Sequence, residues 1–178
     1  MAERTIGVES RTVRLQEPSS EWQSMFASEQ RILGAELGNH VLDIQHVGST
    51  ALGRIVAKPI IDIGIAVSRY EDARICIDPM KKLGYEYRGE AGISRRHYFV
   101  KGQPRTHHVH MVETDSDAWI SLVAFRDYLM THPLVEARYE KLKKELALRY
   151  ANEREKYQSA KEPFVKAIIA MAIADRGK

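Results

Sequence analysis

The chain is poor in cysteine and in long apolar runs, and both shortages restrict the classes of protein to which it can belong. Cys76 is the only cysteine among 178 residues, so no internal disulfide can form, and this usage suits a reducing cytoplasm. No apolar run approaches the roughly 20 residues needed to cross a bilayer. Residues 1–10 are polar and lack the apolar stretch of a signal peptide. We therefore expect a cytoplasmic protein without a membrane partner.

The chain also lacks a long block of basic residues. Its formal net charge is +3, and the isoelectric point is near 8.9. This mild excess of positive charge suits a small anionic ligand and does not require a nucleic acid partner. Nothing in the composition indicates an oligomeric state.

The pattern of apolar residues predicts a single α/β (α+β) domain over residues 1–178. A mixed sheet of four to six strands is expected within a core of about residues 13–113, with helices covering one face. A C-terminal group of about three helices is expected over residues 116–176. A capping box of Ser20 and Gln23 should begin the first helix, and Gly38 should end it. The expected elements are helices at 20–37 and 70–83, strands at 41–47, 60–67, 85–88, 96–101 and 107–113, and helices from 116, 134 and 153 onward.

The most informative stretch runs from His46 to Asp62. An apolar run ends at Gly48-Ser49, the chain turns through a basic loop, and a second apolar run begins with the carboxylate of Asp62 inside it. A glycine lets the backbone approach a phosphate closely, and amide and hydroxyl groups can bind that phosphate. An acid on the adjacent strand can hold a divalent cation against it. The stretch therefore predicts a nucleotide-phosphate site.

Alternation along the second strand separates its two faces. Ile61, Ile63, Ile65 and Val67 share one face, whereas the other face carries Asp62 and then only small residues. Small residues are expected where something approaches closely. The alternative is an acid at a strand end that pairs with a nearby arginine.

Two histidines with the same alternation mark a later strand. His108 and His110 share a face, opposite to Val109 and Met111. Such a pair can ligate a metal, or can donate to a phosphate when protonated. A hydrogen-bonded pair on an open face is the alternative, and zinc would need a third ligand such as His97.

Two cations interrupt apolar helical stripes, where an unpaired charge is costly. Arg126 lies between Leu122 and Met130, and Lys161 lies between Tyr157 and Val165. Both are expected to face the cleft at Asp62, although Arg126 could make a structural ion pair and Lys161 could extend past the core to solvent. In contrast, Lys141, Lys143, Lys144 and Glu145 resemble a solvated helix face.

Taken together, these motifs resemble the GrpB-like family, which looks like a branch of the nucleotidyltransferase superfamily. The resemblance spans residues from Val13 to about Ile169. It rests on His46-Val-Gly-Ser-Thr50, Lys58-Pro-Ile-Ile-Asp62, Arg96-His-Tyr-Phe99, His108-Val-His110, Ala124-Phe-Arg-Asp-Tyr-Leu129 with His132-Pro133, and Lys161-Glu-Pro-Phe164. It implies a nucleotidyltransferase-like mixed sheet. The superfamily pattern of Gly-Ser followed by Asp-x-Asp matches Gly48, Ser49 and Asp62, but Gly64 stands where the second carboxylate is expected.

Two functions follow from this interpretation. The first is nucleotidyl transfer from a nucleoside triphosphate to an unknown acceptor: Asp62 would hold Mg²⁺, and His110 or His108 would act as general base. The second is a ligand-sensing protein that has lost catalysis, which Gly64 favours. In both, phosphate would be bound by Gly48, Ser49, Thr50, Lys58, Arg96, Arg126 and Lys161. RNA binding is a third hypothesis, which lacks an aromatic platform or an arginine cluster in the sequence.

Overall fold

The computed structural model describes residues 6–9 and 11–176. Its helices are α1 (Glu21–Leu37), α2 (Gly48–Leu52), α3 (Ile77–Lys82), α4 (Asp117–Thr131), α5 (Pro133–Arg149) and α6 (Arg154–Arg176). Its strands are β1 (Asp43–Val47), β2 (Ile61–Val67), β3 (Tyr85–Tyr87), β4 (Arg96–Lys101) and β5 (His107–Glu113).

The five strands form one mixed sheet in the order β1-β2-β5-β4-β3. Strands β2 and β5 run parallel, and the other neighbouring pairs are antiparallel. The predicted mixed α/β fold is therefore confirmed. Parallel pairing places Asp62 beside His108 and Gly64 beside His110, so β2 and β5 present their polar residues on the same face.

The main apolar core covers the opposite face of the sheet. Ile61, Ile63 and Ile65 are completely buried there against Trp22 and Leu33 of α1. Helix α3 adds Met80, and strand β5 adds Val109 and Met111 to the same cluster. The alternation predicted for β2 is confirmed, because every second residue of that strand lies in this core.

Helices α4, α5 and α6 pack together and approach the polar face of the sheet. Phe125 and Leu129 of α4, Tyr139 of α5 and Ile168 of α6 form a second apolar cluster with Leu52 of α2. A β-carbon placed on Gly64 would lie 3.2 Å from Trp119 and 3.3 Å from Val47. The small residues of β2 therefore accommodate helix α4 at Gly64, which is the close approach that the sequence predicted at this face.

Local predictions were partly wrong at helix starts. Ser20 makes no capping hydrogen bond, and Gln23 binds the Ala51 carbonyl with its side-chain amide at 3.0 Å. The capping box is therefore absent, although Gly38 ends α1 as predicted, with φ at 52°. The helix expected at 70–83 is divided into a 3₁₀ turn (Asp72–Cys76) and α3, which places Pro79 in the first turn of α3, where proline is tolerated. None of the helices in the described part of the chain is long and apolar enough to cross a membrane.

Candidate functional site

Asp62 is the centre of the polar face. Nδ1 of His108 donates to Oδ1 of Asp62 at 3.0 Å, and Nε2 of His110 lies 3.8 Å from the same oxygen. Burial opposes ionisation of this carboxyl, but the two histidines outweigh that effect and hold the pKa of Asp62 well below its usual range. The predicted grouping of Asp62, His108 and His110 on one face is confirmed.

The two histidines are oriented differently. Nη1 of Arg96 donates to Nδ1 of His110 at 3.1 Å, so the proton of neutral His110 lies on Nε2, which faces Asp62. In His108, Nδ1 donates to the carboxylate and Nε2 is the acceptor, 3.5 Å from Nη2 of Arg154. Burial lowers the pKa of His108, which keeps that ring neutral and leaves Nε2 able to accept a proton.

Gly48 brings the backbone against the carboxylate. Its φ is +70°, and a β-carbon at this position would lie 2.7 Å from Oδ2 of Asp62. Only glycine satisfies both constraints, because other residues pay for a left-handed backbone and would overlap the carboxylate oxygen. The loop predicted after Gly48 is instead the short helix α2.

A small cationic cavity of about 80 Å³ opens beside Asp62 and His108. Ser49 lines it from α2, Lys58 from the loop before β2, and Lys161 and Gln158 from α6. Both ammonium groups lie over the ring of Tyr157, at 5.3 Å for Lys58 and 5.4 Å for Lys161. Ser49, Lys58 and Lys161, which were predicted to bind phosphate, thus meet at one place.

The cations at this cavity have too few counter-charges. Burial first, and then the charges of Lys161 and Arg154, lower the pKa of Lys58 to about 7. Arg154 begins α6 and lies next to the cavity at His108, and its Nη1 is buried without a hydrogen-bond partner among the described residues. Within the described residues, Lys58, Lys161 and Arg154 make no ion pair, and Asp62 is the one carboxylate that lines the cavity. An anion of charge −2 or more would complete this arrangement.

Lys143 also lines the cavity, and its assignment to a solvated helix face was wrong. It is 1% exposed, and its Nζ donates to the Val56 carbonyl. Burial, with the nearby Lys161, lowers the pKa of Lys143 to about 7. A signal was present in the sequence, since Tyr139, Lys143 and Leu146 follow helical spacing and all are buried. Sequence reasoning also missed Arg154 and Tyr157 as site residues.

Helix α5 fixes the loop that carries Lys58. Glu136 forms an ion pair with Arg54 at 2.7 Å, and Oε1 of Glu140 accepts from the Val56 amide at 2.9 Å. These bonds and the one from Lys143 lie on successive turns of α5. They hold the loop against the helix, so Lys58 is positioned by contacts outside its own segment.

Thr50 and Arg126 make hydrogen bonds within the protein, and their predicted contacts to phosphate stay predictions. Oγ1 of Thr50 lies 3.0 Å from Nε2 of His46 and donates to the Ile60 carbonyl at 3.1 Å, so this hydroxyl is engaged although Thr50 lines the cavity. Arg126 donates to Oε1 of Gln45 at 2.7 Å and to the His46 carbonyl at 2.9 Å. It lines a separate surface groove beside β1. The prediction that Arg126 faces the cleft at Asp62 was wrong. The alternative of a structural ion pair is confirmed, because the Arg126 guanidinium pairs with Asp127 at 2.7 Å and also binds acceptors of β1.

Arg96 and His110 border a second, larger space of about 530 Å³, which we call the apolar groove. The Arg96 guanidinium is anchored by the Glu90 and Ala91 carbonyls at 3.1 and 2.8 Å. It therefore does not line the cationic cavity. The apolar groove is lined by Gly48, Ile93, Ser94, Arg96, His110, Val112, Asp117, Ala118, Ser121, Leu122, Phe125, Val165 and Ile169.

The donors around Asp62 do not fit a resident Mg²⁺ ion. Mg²⁺ prefers an octahedron of oxygen ligands, but Oδ1 of Asp62 already accepts from His108 and Oδ2 faces Gly48. Position 64, where a second carboxylate was considered, is closed by Trp119. Among residues 6–9 and 11–176, no group of three or more His, Cys, Asp or Glu side chains could hold a metal ion. The predicted metal role of Asp62 stays a prediction that this donor set does not support.

The same residues do not form a zinc site. His97, considered as a third ligand, lies with its Nδ1 2.8 Å from the Tyr87 hydroxyl and its Nε2 2.8 Å from the Tyr70 carbonyl. It pairs in register with Met111 and so lies on the other face of the sheet. The histidine pair is therefore a hydrogen-bonding partner of Asp62.

Comparisons with known proteins agree with this fold. A family model described as GrpB protein matches residues 12–171. The glutamate-rich protein GrpB of Alkalihalophilus pseudofirmus is 37% identical over 170 residues, which cover 92% of this chain and 98% of that protein. The UPF0157 protein YqkA of Bacillus subtilis is 38% identical over 149 residues, covering 83% of this chain but 43% of the longer relative.

Two solved structures resemble the fold. The crystal structure of GrpB from Enterococcus faecalis has a TM-score of 0.87 and 34% identity, covering 93% of this chain and all of that one. The Cid1 poly(U) polymerase has a TM-score of 0.50 and 13% identity, covering 76% of this chain and 44% of the polymerase. At that identity the second likeness concerns the fold alone, which is nucleotidyltransferase-like.

Proposed function

The chain belongs to the GrpB family, and from that premise and the geometry around Asp62 we propose that it binds a nucleotide through its phosphates without two-metal nucleotidyl transfer. The observation that carries this proposal is a set of cations that make no ion pair among the described residues. Lys58 and Lys161 line a small cavity beside Ser49, and Arg154 lies next to that cavity, with its Nη2 3.5 Å from Nε2 of His108. These side chains are half-buried, where a charge without a counter-charge is costly, and a polyphosphate would neutralise them. A cytoplasmic location, where nucleotides are abundant, belongs to the same proposal.

The absence of a second carboxylate favours binding over transfer. In-line transfer of a nucleotidyl group usually relies on two metal ions held between paired acids and the triphosphate. Here Gly64 lies under Trp119, and Asp62 is engaged by His108. The protein is therefore proposed to be a ligand-binding member on a nucleotidyltransferase-like scaffold.

Isothermal titration with inorganic tripolyphosphate in EDTA tests the cavity directly. Lys161→Met should weaken binding about tenfold, because it removes one charge from contact with the anion. Lys166→Met is the matched control, since Lys166 lies on the same helix but is 73% exposed and paired with Glu162. The proposal fails if the unmodified protein does not bind tripolyphosphate, or if both variants lose affinity equally.

Nucleotidyl transfer is the second candidate, favoured by the fold and by the ionised Asp62. Labelled nucleoside triphosphates with Mg²⁺ and without it distinguish the two. We expect binding without product, and we expect Asp62→Asn to retain tripolyphosphate binding in EDTA, since it removes a negative charge from the cavity. Mg²⁺-dependent product that Asp62→Asn abolishes would establish transfer instead.

A further inference from the structure

The cationic cavity and the apolar groove lie next to each other, because neighbouring residues of the same elements line both. Tyr157, Lys161, Val165 and Ile169 recur every four residues along α6, so they share one face of that helix. The first two line the cavity, and the last two line the groove.

Strand β5 and the start of α2 also contribute residues to both the cavity and the groove. On β5, His108 lines the cavity and His110 lines the groove. At the start of α2, Ser49 lines the cavity and Gly48 lines the groove. Each of three elements, α6, β5 and α2, therefore contributes neighbouring residues to the cavity and to the groove. Asp62 lies at the boundary between the two.

The chemistry of the apolar groove differs from that of the cavity. Its walls are mainly aliphatic and aromatic, and its volume of about 530 Å³ lies in the range of small-molecule sites. Polar groups are confined to a few positions, among them Ser121 and Asp117 of α4 and the fixed guanidinium of Arg96. A flat ring with polar edges fits such walls, because its faces need apolar contact and its edges need a small number of hydrogen-bond partners.

We propose that the apolar groove binds the nucleobase of the nucleotide whose phosphates occupy the cationic cavity. This inference rests on the proposed function, since it places the organic part of that same ligand. The base is anchored between α4 and α6, and the phosphates reach Ser49, Lys58 and Lys161 past Gly48.

Filling the apolar groove provides the test. Titrations compare the four common ribonucleoside triphosphates with inorganic tripolyphosphate, in EDTA. At least one nucleoside triphosphate should bind about tenfold more tightly than tripolyphosphate, as expected for burying one ring face.

Ser121→Trp should remove that advantage and leave tripolyphosphate affinity unchanged. Val165→Asn should have the same effect, because it places an uncharged polar group on an apolar wall of the groove. Thr131→Trp, on an exposed part of α4, is the control.

The binding of tripolyphosphate reports whether each variant is folded with its cavity intact. Equal affinity of the unmodified protein for all four nucleotides and for tripolyphosphate would overturn the inference. So would an advantage that survives both groove variants. Tighter binding of decyl phosphate than of any nucleotide would assign the groove to an alkyl chain and overturn it as well. Failure of tripolyphosphate itself would instead contradict the proposed function.

Discussion

The two ends of strand β5 carry charge in opposite ways. At the Glu113 end, Arg95 binds Glu113 at 2.8 Å and Glu71 at 2.9 Å, on the exposed surface. At the His108 end, Arg154 approaches only the histidine, and Lys58 and Lys161 have no ion-pair partner among the described residues. The charges at the Glu113 end are paired within the protein, whereas the cations at the His108 end have no ion-pair partner among the described residues.

This difference separates charges that are paired within the protein from charges that we propose to bind an anion. Arg95 lowers the pKa of Glu113 to about 2, and both groups remain in contact with water, where an ion pair contributes little to stability. In the cavity, burial lowers the pKa of Lys58 and of Lys143 to about 7, so folding there costs free energy. Shifted pKa values of this kind are frequent at functional sites, which agrees with the proposed anion site.

The largest effect is expected at Gly48. Gly48→Ala should lose most tripolyphosphate binding and lower stability, because the new β-carbon would meet Asp62 at 2.7 Å in addition to the cost of a left-handed backbone, about 1–2 kcal/mol. Gly53→Ala isolates the backbone cost, since Gly53 has φ +67° and open space around it. Thermal melts and titrations of both variants measure the difference, and equal losses would contradict a close approach at Asp62.

The next largest effect is expected at Arg154, which is compared with Arg95 at the other end of β5. Arg154→Met should weaken tripolyphosphate binding about tenfold, because it removes a charge from the cavity. It should not lower the melting temperature, because Nη1 of Arg154 is buried without a partner. A fall in melting temperature with unchanged anion affinity would show that Arg154 stabilises the fold.

A smaller effect is expected from pH. The pKa of Lys58 and Lys143 is about 7 in the folded protein and near 10.5 when unfolded. Between these values the unfolded chain binds more protons, so the free energy of unfolding should rise as pH rises from about 7 toward 10. The melting temperature should therefore rise between pH 7 and 9, by roughly 2–4 °C for each kcal/mol gained.

Anion affinity should change in the opposite direction. Tripolyphosphate needs the charged lysines, so its binding should weaken as pH rises through about 7 and the lysines lose their protons. The double variant Lys58→Met, Lys143→Met should remove most of the pH dependence of the melting temperature. A flat stability profile between pH 7 and 9 in the unmodified protein would contradict the lowered lysine pKa values.

The smallest effect is expected for Arg95→Met at the other end of β5. Its partners Glu71 and Glu113 are exposed enough to be solvated by water, so the melting temperature should fall by less than about 2 °C. Tripolyphosphate affinity should not change. A loss of anion affinity comparable to that of Arg154→Met would remove the distinction between the two ends.

Local patterns predicted much of the fold and part of the site. Alternation along β2 and β5 assigned Asp62, His108 and His110 to one side of each strand, and parallel pairing confirmed that these sides coincide. Lys161 was identified because a charge interrupts an apolar stripe. The same reasoning placed Arg126 wrongly, since a stripe indicates burial but does not name the acceptor, which here is Gln45 and the His46 carbonyl.

The sequence by itself determined which faces are apolar and where the glycine, the acid and the histidines stand, because side-chain direction alternates with fixed periods in strands and helices. Only the tertiary structure decided that Lys143 is buried at the Val56 carbonyl, that Trp119 closes Gly64 and that Arg154 reaches His108. The bond of Lys143 joins residues that are 87 positions apart, and that of Arg154 joins residues 46 positions apart. The contact of Trp119 depends on how α4 lies across the sheet. Such placements are set by the packing of whole helices, which no local spacing encodes.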